Sequence, residues 1–261
     1  MIELFLTNFL SPPVLFFFLG GLAVMLRSDL GIPSQISKFL SIYLLFAIGF
    51  KGGAALVSGP PDWMMAKTLI FAVSLSAAIP MLLFQFAKIW FSRATAAAIA
   101  ATYGSISAVT FIAATGYLDN FGIEWDGYMV AAMALMEAPA IMVGISLYYA
   151  GTESNIRWRT VLHESLLNGS VFLIMGSMLV GALTGQQGMD QVSPFVLDLF
   201  VGLLCLFLLD MGIRAYQELK SARALFKVRE YAVMIVAALI TPLVGAILAT
   251  LGVWFLSIPL G

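Results

Sequence analysis

The sequence predicts an all-α polytopic membrane protein, and two observations carry that prediction. Of its 261 residues, 61% are hydrophobic and only 10% are charged, whereas soluble domains carry about 25% charged residues. A surface that poor in charge has to face lipid. Apolar stretches of roughly 17–25 residues, the length needed to cross a hydrocarbon core of about 30 Å, also follow one another along the whole chain.

Eight spans are expected, at 10–26, 36–57, 66–91, 94–117, 126–150, 163–184, 194–213 and 231–258. The first is preceded by Glu3 rather than a basic region and leads straight into further spans, so it reads as a retained helix and not a signal peptide. Short polar punctuators separate the rest: Arg27-Ser28-Asp29, Ser58-Gly59-Pro60-Pro61-Asp62, Asp119-Asn120-Phe121-Gly122-Ile123-Glu124, and the longest, from Tyr216 to Glu230. His163 and Glu164 read as a helix-start cap, and Lys51 and Asp198 as snorkelling residues near outer span ends.

The fourth span runs from an alanine-rich stretch, Ala94 to Ala101, into Thr102-Tyr103-Gly104-Ser105-Ile106-Ser107-Ala108-Val109-Thr110-Phe111. The alanines permit close helix contact. In an unbroken helix Ser107 and Thr110 share a face, while Ser105 lies about 200° from Ser107. Both serines line one site only if the helix opens, and Gly104 is where it can. The expectation is therefore a discontinuous helix binding a small ion, with a continuous, self-bonded helix as the alternative. In the fifth span Glu137 stands at membrane depth, and Pro139 cannot donate to the Leu135 carbonyl. Glu137 reads as a cation ligand or proton relay, the alternative being a neutral packing acid. Pro80 and Pro242 release the Ser76 and Ala238 carbonyls and read as structural kinks. Asp210 stands four residues before Arg214, which favours a helix-end ion pair over an ion-site role.

Cations orient the set. With the N-terminus outside, eleven Lys and Arg fall on cytoplasmic connections and only Lys51 and Lys67 outside. Residues 216–230 then form a basic cytoplasmic segment, either an ordinary positive-inside loop or a docking surface. An internal echo accompanies this topology: at an offset of 156, Gly20, Ser37 and Phe39 fall on Gly176, Ser193 and Phe195, and at 162 Pro80 falls on Pro242. Five spans separate element and echo, so the second copy runs through the membrane the other way, as in an inverted repeat. The division expected is a first repeat over 1–150, a cytoplasmic connection over 151–162 and a second repeat over 163–261. Counterparts of spans four and five would fall past Gly261, so the chain reads as a fragment of a ten-span protein or as a shortened form. A net charge of -1 offers nucleic acid no basic field, and one Cys and one His supply no disulfide framework or zinc cluster. With no paired-His motif and one deep carboxylate, an enzyme is not expected, nor any cofactor or metal apart from a coupling ion.

Four motifs then carry a resemblance. The run from Gly31-Ile32-Pro33 through Lys38 to Gly53, Tyr103-Gly104-Ser105-Ile106-Ser107-Ala108-Val109-Thr110-Phe111, Glu137-Ala138-Pro139-Ala140, and Phe207-Leu208-Leu209-Asp210-Met211-Gly212 resemble, in order, spans two, four, five and seven of SbtA-type sodium-dependent bicarbonate transporters. That resemblance implies a five-plus-five inverted-repeat, elevator-type symporter of the plasma (inner) membrane. It would move bicarbonate inward with sodium as a homotrimer, under a PII-like cytoplasmic regulator. By the same resemblance Gly104, Ser105, Ser107 and Thr110 bind substrate, and Ser107 and Glu137 neighbour sodium. The alternatives are sodium-coupled transport of another small anion and a non-transporting membrane scaffold that binds the regulator.

Overall fold

The computed structural model describes residues 10–58, 62–107, 110–111, 114–115, 118, 122–123, 125–150, 163, 167, 169–225 and 228–255. The 151–162 connection and Lys227, together with Asp119 and Glu124 of an outer connection, lie outside them. The described chain is all helical, in the order α1 (Pro12–Met25), α2 (Ser34–Leu56), α3 (Trp63–Ala87), α4 (Arg93–Thr102), α5 (Met129–Tyr149), α6 (Gly169–Ser193), α7 (Phe200–Leu225) and α8 (Val228–Phe255). Each falls on one of the eight expected spans. Six helices are long and apolar enough to cross a membrane; α1 is a shorter apolar helix and α4 has only 10 residues.

Local chemistry sets the ends. Pro12 and Pro13 open α1, where a missing N–H costs nothing. Its other end closes with Arg27 at φ 58°, the Ser28 N–H donating to Ala23 O at 2.9 Å and the Arg27 N–H to Val24 O at 3.1 Å. This is a Schellman cap whose cation also suits the negative helix end. At α7 the structure departs from the expected polar loop: the helix continues through Tyr216 to Leu225, and α8 begins at Val228. Glu218, Leu219, Lys220, Ala222 and Arg223 are strong helix formers and carry the helix on beyond its apolar stretch.

Two helix groups result. In the first, α2 packs on α6 and α1 on α7; in the second, α3, α4 and α5 pack together, with α8 along α3. The groups meet where Gly52 of α2 lies against Val130 and Ala131 of α5, beside a core of Ile48, Met133, Ala134, Ile174 and Met178.

Gly185 governs the first group. Its φ of 55° and ψ of -146° are not helical, and contacts with α2 reverse across it. Before it, Gly49 meets Ile174 and Gly53 meets Met178, so the two helices climb together. After it, Gly188 lies against Phe50, the Phe195 ring stands 4.9 Å edge-on from that of Tyr43, and Asp210 reaches Ser37, so the chain descends. Only glycine takes such dihedrals without strain. On the descending pass Pro194–Asp198 forms a π-helical turn, and the Tyr43 hydroxyl donates to the Phe195 carbonyl there.

Both crossings in this group use glycine against backbone. A methyl on Gly181 would overlap the Phe50 carbonyl, and one on Gly53 the Met178 carbonyl. The α1–α7 crossing repeats the arrangement, Gly20 facing the Leu209 carbonyl and Gly212 that of Phe17. Gly20 and Gly181 thus each face a backbone carbonyl of the neighbouring helix, as do Gly53 and Gly212, whereas an added methyl on Gly176 would meet nothing within 4 Å. Small residues let the backbones approach closely enough for dispersion to hold helices that hydrophobicity cannot sort in lipid. Gly181→Ala is expected to destabilise by about 1–3 kcal/mol, whereas Gly176→Ala, with nothing within 4 Å of the added methyl, should be neutral or better; unfolding in detergent compares the two directly.

Candidate functional site

The site is built where α4 ends against the proline-bearing stretches of α3 and α5. The α4 helix ends at Thr102, and Tyr103, Gly104 and Ser105 form a turn. Opening at Gly104, expected from the serine spacing, is where the helix stops. A methyl on buried Gly104 would lie 2.5 Å from Pro80 Cγ, 2.7 Å from Ala140 Cβ and 2.9 Å from the Ser76 carbonyl oxygen. The turn thus seats on α3 at Pro80, against the Ser76 carbonyl to which that proline cannot donate, and on α5 at Ala140, the residue after Pro139. Ser76 is fully buried, and its hydroxyl donates to the Met136 carbonyl at 2.6 Å. That bond fixes α3 to α5 immediately before Glu137.

Alanine and arginine hold α4 in place. Ala96, Ala97 and Ala100 are buried with Phe84 and Ala87 of α3, and Ala101 lies against Gly144 of α5. Ser92 caps the start, accepting from the Thr95 N–H at 3.3 Å. Arg93 donates through Nε to the Leu147 and Tyr148 carbonyls, both at 3.0 Å, and through Nη2 to Leu147 at 2.8 Å. A cation thereby satisfies the last carbonyls of α5 and ties that end to the start of α4.

The groups that remain define the chemistry. The Tyr103 and Gly104 amides donate to Ala100 and Ala101, both at 3.2 Å. Among the described residues nothing accepts from the amides of Ser105, Ile106 and Ser107, and the hydroxyls of both serines are unbonded. The Ser107 carbonyl accepts from the Phe111 N–H at 3.0 Å. Ser105 is half-buried; Ser107 and Thr110 are exposed. Glu137 is half-buried, and its carboxylate makes no hydrogen bond or ion pair with the described residues. Free amides and hydroxyls suit an anion, while a carboxylate and helix-end carbonyls suit a cation.

Asp210 is elsewhere. On α7, in the other helix group, it is buried and accepts from the Ser37 hydroxyl and from Arg214 Nε at 2.9 Å, while Arg214 Nη2 donates to Ser37 Oγ at 2.9 Å. The ion pair expected from the i,i+4 spacing is present, with α2 drawn into it through Ser37. Sequence reasoning missed this third member, as it missed the Ser76 hydroxyl. The position of Ser76 four residues before Pro80 was the available signal, since a kink is where a neighbouring helix finds backbone to bond.

With this geometry in view, a family model for the Na+-dependent bicarbonate transporter superfamily matches residues 12–261. The chain belongs to that superfamily. No curated protein matches it. Membership and apolar helices together make this a multi-pass membrane protein of a transporter family. For this superfamily member, Asp210→Asn is expected to cost about 1–3 kcal/mol, because the Ser37 and Arg214 donors lose a charged acceptor, and Ser37→Ala less. Denaturation of the purified chain in detergent checks both.

Proposed function

We propose that the protein is a sodium-dependent bicarbonate symporter of the inner membrane, with its N-terminus outside, and that the anion binds at the Gly104 turn. The observation that carries this reading is a helix ending at Thr102 inside the bundle, followed by three amides and two hydroxyls without partners among the described residues. In lipid each unsatisfied backbone group costs several kcal/mol, so such a run persists where it serves a ligand. Bicarbonate offers three oxygens to donors of this kind. Sodium takes the oxygens on the other side of the turn, Glu137 and the Ser107 hydroxyl among them, and its charge offsets that of the cargo. If more than one sodium moves per bicarbonate, the membrane potential adds about 2.3 kcal/mol per excess charge per 100 mV. No cofactor besides the coupling ion is involved.

The architecture proposed for this cycle is an inverted repeat, 1–150 and 163–261, in which α1 corresponds to α6 and α2 to α7. The paired glycine crossings support it, because the correspondence holds residue by residue: Phe17 with Met178, Gly20 with Gly181, Phe50 with Leu209, Gly53 with Gly212. Division of the bundle into two groups supports an elevator-type motion, the α3–α4–α5 group carrying the turn. A homotrimer, with a PII-like regulator docked on the cytoplasmic extension of α7 around Lys220 and Arg223, completes the proposal.

Ser107→Ala is expected to abolish sodium-dependent uptake of labelled bicarbonate into membrane vesicles while the protein still inserts; unchanged uptake would remove Ser107 from the site. Glu137→Gln should raise the sodium concentration needed for half-maximal uptake, about tenfold for the loss of one well-placed charge, with a smaller effect on bicarbonate. A panel of competing anions tests the alternative cargo.

A further inference from the structure

One cation stands where the two helix groups meet, without an ion pair among the described residues. Lys51 of α2 lines a cavity of about 260 Å³ whose other walls include Phe111 and Thr115 beyond the Gly104 turn, Trp125 and Val130 before and in α5, and Phe200 of α7. Its ammonium lies 5.8 Å from the centroid of the Trp125 ring, and Trp125 meets Phe111 edge-on at 6.0 Å. The Phe111 amide in turn donates to Ser107. An unbroken chain of contacts therefore runs from Lys51 to the serines of the turn.

Trp125 places the ammonium but brings no net charge, so a cation–π contact orients Lys51 without neutralising it. Among the described residues the one salt bridge is Arg214–Asp210. Asp126, next to Trp125 in sequence, forms no ion pair with Lys51. The cavity walls are mostly apolar, while Lys51 itself is exposed and within reach of an entering ion. The Lys51 site thus offers a mobile anion a cation beside a tryptophan, without an ion pair among the described residues.

We propose that Lys51, held over Trp125 in the cavity between the two helix groups, is the group that recruits the small inorganic anion before it reaches the Gly104 turn. The proposal rests on the anion-transport reading and adds to it a specificity-determining residue outside the turn itself. Lys51 is then a charge placed for the cargo rather than a side chain snorkelling to the membrane surface.

Kinetics and fluorescence test this separately. In vesicles, Lys51→Gln is expected to raise the bicarbonate concentration for half-maximal uptake about tenfold, as for the loss of one charge contact, with maximal rate within about twofold of the parent. Lys51→Arg, which keeps the charge, should restore most of the affinity. An unchanged half-saturating concentration in Lys51→Gln, or a fall in maximal rate alone, would overturn the proposal. The second readout needs no flux: bicarbonate, nitrate and chloride are titrated against the tryptophan emission of the purified chain, with Trp125→Phe identifying the signal. A Trp125 response that Lys51→Gln abolishes and Lys51→Arg retains supports anion recruitment even if bicarbonate uptake fails. No response to any of the three anions in the parent chain refutes it.

Discussion

Everything in the second helix group depends on one constraint: within a bilayer, backbone that leaves the helix must find partners or hold a ligand. Pro80 and Pro139 each remove a helix hydrogen bond, α4 ends at Thr102, and the fold sets Gly104 against Pro80 and Ala140. Ser76 answers part of the demand by donating its hydroxyl to Met136, and the close seating of Gly104 leaves no room for lipid. What is left over among the described residues is the amides of 105–107 and the Glu137 carboxylate.

The first helix group solves a different problem. Lipid gives apolar helices no reason to prefer one neighbour, so specificity comes from close backbone approach at glycine and from a few buried polar ties. Tyr43 to Phe195 and Ser37 to Asp210 and Arg214 are those ties. They fix the register of α7 on α2 at two levels, which glycine packing alone would leave free to slide.

Much of this was legible beforehand, for physical reasons that differ between residues. Span positions follow from the length a bilayer demands, so each of the eight helices falls where hydropathy puts it. The break at Gly104 follows from helical geometry, because two serines about 200° apart cannot serve one site. Other features depend on partners distant in sequence and leave no local mark. Ser37 is an ordinary helix residue until Asp210 arrives beside it. Lys51 resembles any snorkelling lysine until Trp125 is seen beneath it. The helical extension past Tyr216 was misjudged because polarity was taken for loop, although its residues favour helix strongly. An offset of 156 pairs Gly20 with Gly176, but identity at a fixed offset carries no information on which glycines a neighbouring backbone touches, and those are Gly20, Gly53, Gly181 and Gly212.

The reversal at Gly185 bears on how the protein is made. Because the chain climbs and then descends along α2, the Tyr43 hydroxyl gains its acceptor only at Phe195, 152 residues on, and Ser37 its partner only when Asp210 emerges, 173 residues on. Until then the face of Tyr43 and Leu44 that later covers Leu204 and Leu208 is open. Contacts of such separation form late and slowly. A chain halted before α7 would therefore leave the Ser37 hydroxyl without its carboxylate and this apolar face uncovered.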